Sequence, residues 1–195
     1  MRPAEAQLHE IADIQAGLTL RGADASRHDP AGTHQLIRIG DLSDDGRLHA
    51  TEPNLVSLDP ATAARFALRP NDVLLAARGT RMTAAIFEGT FPAVVGSQFL
   101  VIRPHLEAVL PTYLHWFLNL SYTQENLNTR ARGTYVRSLP ASSLGELEIP
   151  LPPLPRQRAI AELHALRLHE KHLMLTLADR RALLVDRTIL HSLQS

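Results

Sequence analysis

Apolar positions fall into two regimes that change at a proline-rich run near residue 150. Before it, short apolar runs alternate with Gly, Pro, Asn and Asp, the punctuation of short strands and turns. Leu8, Ile11 and Ile14 make a brief apolar element that ends at Gly17, and residues 21–34 read as a polar loop. Gln35–Ile39 predicts a strand ending at Gly40-Asp41, and Asp44-Asp45-Gly46 a turn. Asp59-Pro60 predicts a helix start, a capping carboxylate followed by proline at the first helical position. That helix, Ala61–Phe66, is short because Arg69-Pro70-Asn71-Asp72 turns the chain into a strand over Val73–Ala77. Ala84–Phe87 and Gln98–Ile102 read as further strands, Pro111–Leu120 and Tyr122–Asn128 as helices.

The last 45 residues differ in kind. Ile149-Pro150-Leu151-Pro152-Pro153-Leu154-Pro155 predicts a stiff extended connector, because proline fixes φ and withholds a donor. From Arg156 to Leu193 there is neither Gly nor Pro, and the composition suits a helix. At 1.5 Å per residue it would run ~55 Å, more than a small domain covers. Leu163, Leu166, Leu173, Leu177 and Leu184 recur at spacings of 3, 7, 4 and 7, a heptad-like seam. A second row, Leu168, Leu175, Ala182 and Ile189, is expected to widen that face. The helix could lie on its own domain, but its length favours pairing with another helix. The expected class is therefore mixed α/β: a strand-rich domain over 1–150, a connector over 151–155, and a long helix over 156–195.

Composition narrows the chemistry. The chain is 45% apolar and 21% charged with mean hydropathy −0.08, enough to bury a core. No run approaches the ~20 apolar residues of a membrane helix. Met1–Glu5 leads into no signal-peptide core, so a cytoplasmic protein without membrane attachment is expected. There is no cysteine, which removes disulfides, thiolate metal sites and cysteine nucleophiles. Lys171 is the only lysine, and no Gly-Lys-Ser/Thr triplet exists to hold phosphates. Neither Gly-x-Ser-x-Gly nor Gly-x-Gly-x-x-Gly occurs. His164, His169 and His172 lack the i, i+4 spacing of helical metal ligands. No catalytic residue, metal or cofactor is expected.

Twenty basic and twenty acidic residues cancel, but not evenly along the chain. Residues 1–60 hold 5 basic and 10 acidic residues, whereas 61–140 hold 8 and 4. Two stretches of the basic middle suit nucleic acid. Arg78-Gly79-Thr80-Arg81 places arginines after a strand, and 128–137 carries Arg130, Arg132, Gly133, Thr134, Tyr135 and Arg137. Arg130, Arg132 and Arg137 are the candidates for phosphate contacts, with the Thr134 hydroxyl beside them. Arg78, Arg81, Gln98 and Tyr135 are the candidates for base edges, since Arg and Gln offer paired groups. A solvated loop would use the same residue types.

The run Leu147-Glu148-Ile149-Pro150-Leu151-Pro152-Pro153-Leu154-Pro155-Arg156-Gln157-Arg158-Ala159-Ile160-Ala161 resembles the junction of type I restriction–modification DNA specificity (S) subunits. There a target recognition domain enters a long helix through "iPlPplpeQ-x-x-Ia". Pro70-Asn71-Asp72-Val73-Leu74 is similar to the family's "pGDil", Arg78-Gly79 to its following Gly turn, Gln98–Arg103 to its "q-x-x-x-ir" strand. Gly133-Thr134 is similar to the "Gt/Gs" before the last strand. Asn71 stands where glycine is usual, and Arg156 where glutamate is usual. The resemblance spans essentially the whole chain.

It implies a non-catalytic reader of double-stranded DNA. Such subunits join two recognition domains through two antiparallel helices, so one domain and one helix resemble half a subunit. The resemblance implies a homodimer through the helix, serving DNA adenine methyltransferase subunits and, through them, a restriction subunit. No Asn/Asp-Pro-Pro-Tyr/Phe methyltransferase motif occurs here. The rival expectation is a dimerising regulatory or decoy protein that binds methyltransferase without reading DNA.

Overall fold

The computed structural model describes residues 4–19, 29–49, 54–79, 82–89, 91–133 and 137–193. Most of the polar loop over 21–34 lies outside them, as do Arg81, Thr134 and Tyr135. The elements are β1 (Ala4–Gln7), α1 (Leu8–Ile11), β2 (Ala12–Ala16), β3 (His34–Ile37), β4 (Leu55–Val56), α2 (Pro60–Phe66), β5 (Val73–Ala76) and β6 (Ala84–Ile86). They continue with β7 (Ala93–Val95), β8 (Phe99–Pro104), α3 (Pro111–Leu118), α4 (Ser121–Arg130), α5 (Ala141–Gly145), β9 (Glu148–Leu151) and α6 (Leu154–Ser192).

Local chemistry shapes the turns and caps. An Asp59 carboxylate oxygen accepts from the backbone N–H of Ala61 and Thr62, each at 3.0 Å, and Pro60 opens α2. The strand expected over 35–39 stops at Ile37, because Asp41 accepts from the Arg38 N–H at 2.7 Å and starts a 3-10 turn.

Three sheets form. An antiparallel sheet runs β2-β8-β5-β6, a second runs β4-β3-β7 with β3 and β7 parallel, and β1 pairs with β9. Strand β5 lies between two cores. Val73 and Leu75 pack with Leu8, Ile102 and Leu114, while Leu74 and Ala76 pack with Ile37, Val95 and Phe99. Burial on both faces explains a continuous apolar run without alternation. The open edge at β6 is closed by side-chain amides. Asn119 accepts from the Ala84 N–H and donates to its carbonyl, both at 3.0 Å. Gln124 does the same for Met82 at 3.2 and 2.9 Å, satisfying backbone groups that an edge would otherwise expose.

The proline-rich junction corrects the expected boundaries. Strand β9 occupies Glu148–Leu151, and α6 already begins at Leu154, so only Pro152 and Pro153 connect them. The Tyr113 hydroxyl donates to the Pro150 carbonyl at 2.7 Å. Carbonyl and nitrogen of a strand residue face the same side, so the missing N–H of Pro150 costs β1 no bond.

Gln157 anchors α6. Only 1% exposed, it accepts from the Leu110 N–H at 2.9 Å and donates to the carbonyls of Ala108 (3.0 Å) and Pro152 (2.9 Å). Ala161 is buried on the same side, and the rings of His164 and His115 lie 6.2 Å apart. Leu168 is partly buried along this line. The second apolar row therefore continues the domain-facing side instead of widening the seam. Leu173 and Leu175 are two residues apart, roughly 200° around the helix. The helix carries two opposed apolar stripes. No helix of the described residues is long and apolar enough to cross a membrane.

Candidate nucleic-acid interface

The exit of β5 collects four of the eight expected DNA-contacting residues, Arg78, Gln98, Arg132 and Arg137. The Ala77 N–H donates to the Gln98 carbonyl and the Ala77 carbonyl accepts from the Leu139 N–H, both at 2.8 Å. One residue on, Arg78 lies opposite Ser138, and the Gly79 N–H donates to the Arg137 carbonyl at 3.0 Å. Ser138 and Arg132 exchange two backbone bonds as an antiparallel pair. Gly79 has φ +114° and Gly133 +109°, conformations that favour glycine. This is the physical reason for a glycine after each of Arg78 and Arg132.

Arg78, Gln98, Arg132 and Arg137 are exposed on this ridge, brought together from segments 20 to 59 residues apart in sequence. Arg137 leans on the Asn128 carbonyl at 3.3 Å. Arg130 is held differently. Its guanidinium donates to Asn126 Oδ1 at 2.6 Å and lies 3.8 Å from the Glu146 carboxylate, tying α4 to the chain beyond α5. Ser138, which pairs with two of the arginines, carried no signal in the sequence; only its backbone pairing reveals it.

The two motif departures resolve differently. Asn71 has φ +75°, the left-handed conformation for which glycine is usual and asparagine is tolerated. The turn it makes presents Asp72, 1% exposed, to Arg103. Arg103 grips that carboxylate through two bonds of 2.8 and 2.7 Å, and Asp72 also accepts from the Arg69 N–H at 2.8 Å. The Asp72 carboxylate pushes the Arg103 guanidinium above its ordinary pKa. Arg103 thus serves the fold and does not join the ridge. Arg156 is exposed, and nothing in the structure explains arginine there.

On α6 the seam leucines 163, 166, 173, 177 and 184 are between 51% and 70% exposed. Among the described residues no three His, Asp or Glu side chains stand close enough to hold a metal.

The model of the type I restriction modification DNA specificity domain family matches residues 4–165. The chain belongs to that family. Three solved structures share the specificity-domain fold. A chain from the study of complex assembly and conformational transition of the type I R-M system superposes with TM-score 0.70 at 20% identity over 92% of this chain. The HsdS subunit from Thermoanaerobacter tengcongensis gives 0.61 at 19% over 86%. The S subunit of the type I restriction-modification system from M. genitalium gives 0.55 at 17% over 85%. This specificity-domain chain spans only 42%, 37% and 41% of their respective lengths. No curated protein matches its sequence.

Proposed function

We propose that this chain is the DNA-reading component of a type I restriction–modification assembly and performs no chemistry itself. The observation that carries this reading is the ridge at the exit of β5, where Arg78, Arg132 and Arg137 meet Gln98 on a family-defined recognition domain. Arginines there neutralise phosphates, and Gln98 and Arg78 offer the paired groups that read base edges. Arg81, Thr134 and Tyr135 belong to the same two loops by sequence.

The exposed seam on α6 supports pairing with a second helix, and the occupant proposed is a second copy of this chain in twofold arrangement. Two identical domains related by a twofold axis read the same half-site inverted. The DNA site is then an interrupted palindrome with half-site centres at least ~34–36 Å apart. DNA adenine methyltransferase subunits dock on this scaffold in the cytoplasm and bring the restriction subunit with them. Zero net charge makes the chain a weak DNA binder alone.

Sequencing methylated adenines in cells that express this chain with its methyltransferase tests the reading. The expected motif is an interrupted palindrome that disappears when the gene is deleted. An asymmetric motif rejects the twofold arrangement, and a motif indifferent to the deletion rejects the reader.

A further inference from the structure

Three segments of the chain meet at one end of the sheet β2-β8-β5-β6. Strand β8 lies between β2 and β5 and antiparallel to both, with Ala16 opposite Leu100 and Ala76 opposite Phe99. The exits of β2 and β5 therefore flank the Gly96–Gln98 turn that enters β8. On one side the Ala77 N–H donates to the Gln98 carbonyl at 2.8 Å; on the other the Gly17 N–H donates to the Phe99 carbonyl at 3.0 Å and Leu18 pairs with Gly96. Neighbouring strands are ~4.8 Å apart, so the two exits lie ~10 Å apart, about three base pairs of duplex at ~3.4 Å each. The exit of β5 carries the arginine ridge. A Cβ at Gly17 would collide with the Gly96 carbonyl oxygen and lie 2.7 Å from that of Val95, so glycine is what lets the β2 exit close on the turn.

The β2 exit is rich in donors. A hollow of about 410 Å³ opens there, with Gln15, Thr19, Arg65 and Phe66 in its lining and no carboxylate of the described residues. Arg65 is exposed in the last turn of α2, and no described carboxylate pairs with it. Its guanidinium stacks on Phe66, with Cζ 5.2 Å from the ring centre, and Phe66 packs against the cluster of Leu18 and Val94. Stacking engages the face of the guanidinium and leaves the N–H donors along its edge free. A helix end by itself favours a cation. The hollow adds a hydroxyl and an amide beside that cation, and the ridge continues it across the sheet end.

The lining restricts the ligand. An uncompensated guanidinium that only donates selects an anion, and the Thr19 hydroxyl and Gln15 amide can donate as well. Continuity with the ridge decides which anion. We infer that Arg65, with Thr19 beside it, holds a backbone phosphate of the same duplex that the ridge contacts, an inference that rests on the DNA-reading function proposed above. Such a contact carries no sequence information; it sets the register of the domain on the duplex while the ridge reads bases.

The test is the affinity of the full chain with its methyltransferase, measured against salt on a duplex carrying the methylated motif and on a scrambled one. Arg65→Ala is expected to weaken both by the same factor, because a phosphate contact is blind to sequence. That factor should shrink about 3.5-fold between about 50 and about 200 mM salt, the signature of one lost counterion-releasing contact. Arg65→Lys should restore most of the salt dependence, and both variants should melt near the parent. A methylphosphonate scan of the motif duplex locates the contact: one neutralised position should weaken the parent and leave Arg65→Ala untouched. If the Arg78, Arg132 and Arg137 triple alanine variant flattens the salt dependence and Arg65→Ala does not, this contact is overturned and the DNA-reading function stands. If neither flattens it, both fall. A loss confined to the motif duplex would make Arg65 a base reader, and loss of the methyltransferase itself would assign the hollow to a carboxylate of that protein; either overturns the phosphate contact.

Discussion

Ser138 and Arg132 exchange backbone hydrogen bonds of 2.8 and 2.9 Å, while Arg78 lies opposite Ser138 on the other side. Two arginines from distant segments thus flank one serine, and Arg137 is its neighbour in sequence. Backbone pairing alone brings the backbones of these three arginines together. Replacing Arg78, Arg132 and Arg137 by alanine should weaken DNA binding of the methyltransferase complex. It should also flatten the slope of log K against log salt, by ~0.9 for each phosphate that is no longer neutralised. Arg130→Ala should leave that slope alone and cost at most about 1 kcal/mol of stability, because its side chain serves Asn126 and Glu146. A slope unchanged in the triple variant, or one that falls in Arg130→Ala, would reverse these assignments.

The turn before β5 yields a prediction of opposite signs at one position. Asn71 holds φ at +75°, where a β-branched side chain clashes with its own backbone and glycine does not. Asn71→Val should destabilise by about 1–3 kcal/mol, and Asn71→Gly should be neutral or better, within a few tenths. Urea denaturation of the two variants reads the difference. Equal effects would mean that the turn relaxes out of the left-handed conformation.

Gln157 gives the α6 junction its rigidity. Three backbone groups, from Leu110, Ala108 and Pro152, end on one side-chain amide. Gln157→Leu keeps most of the volume and strands all three. The expected cost is about 2–4 kcal/mol, since each buried unpaired group costs about 1–3 and some reach water on relaxation. Gln157→Glu retains the acceptor for Leu110 but presents no donor to two carbonyls, so it should be no better. A loss under about 0.5 kcal/mol in denaturant melts of Gln157→Leu would show that water replaces the amide without penalty.

Elements with local causes were legible in the sequence: the Asp59-Pro60 cap, the strand Val73–Ala76 and the long helix from its lack of Gly and Pro. Strand β9 was not, because its prolines read as a connector. It is a strand only because β1 and the Tyr113 hydroxyl, both distant in sequence, take opposite sides of Pro150. The ridge was half legible. Arginine next to glycine marked both loops, but nothing in a linear pattern shows that residues 78, 98 and 132–138 converge. Arg103 was invisible as a structural residue for the same reason, since its partner Asp72 lies 31 positions away. The second apolar row on α6 does not widen the seam as expected, although the spacing of Leu173 and Leu175 already sets it opposite; the docking of Gln157 and Ala161 makes this plain.

Burial lowers the pKa of His115 from its ordinary 6.5, with His164 adding to the effect, and lowers that of His164 likewise, with Arg167 adding to it. Burial disfavours the charged form of both rings in the fold. As pH falls below about 6.5 the unfolded chain takes up these protons first, so stability declines until the folded rings themselves titrate. Above 6.5 the contribution is complete. Melting temperature should therefore drop as pH falls through about 6.5, and His115→Gln should shrink that drop. A pH profile identical in the variant would place the dependence elsewhere.

The two stripes of α6 predict separable defects. Leu173 and Leu177 lie on the seam, Leu175 and Ile189 on the side that continues toward the recognition domain. All four are more than half exposed. Burying a leucine contributes ~1.5–3 kcal/mol, so a seam of five can hold two copies together. Light scattering should give about twice 21.5 kDa for the parent chain. Leu173→Glu with Leu177→Glu should give the single mass, because two carboxylates would have to be desolvated in a paired seam. Leu175→Glu with Ile189→Glu should leave the double mass intact, since those residues lie about 120–160° around the helix from the seam pair. If the second pair dissociates the copies and the first does not, the faces are exchanged and the seam serves another protein. If the parent chain is monomeric at micromolar concentration, the twofold arrangement falls, and with it the expectation of a palindromic site.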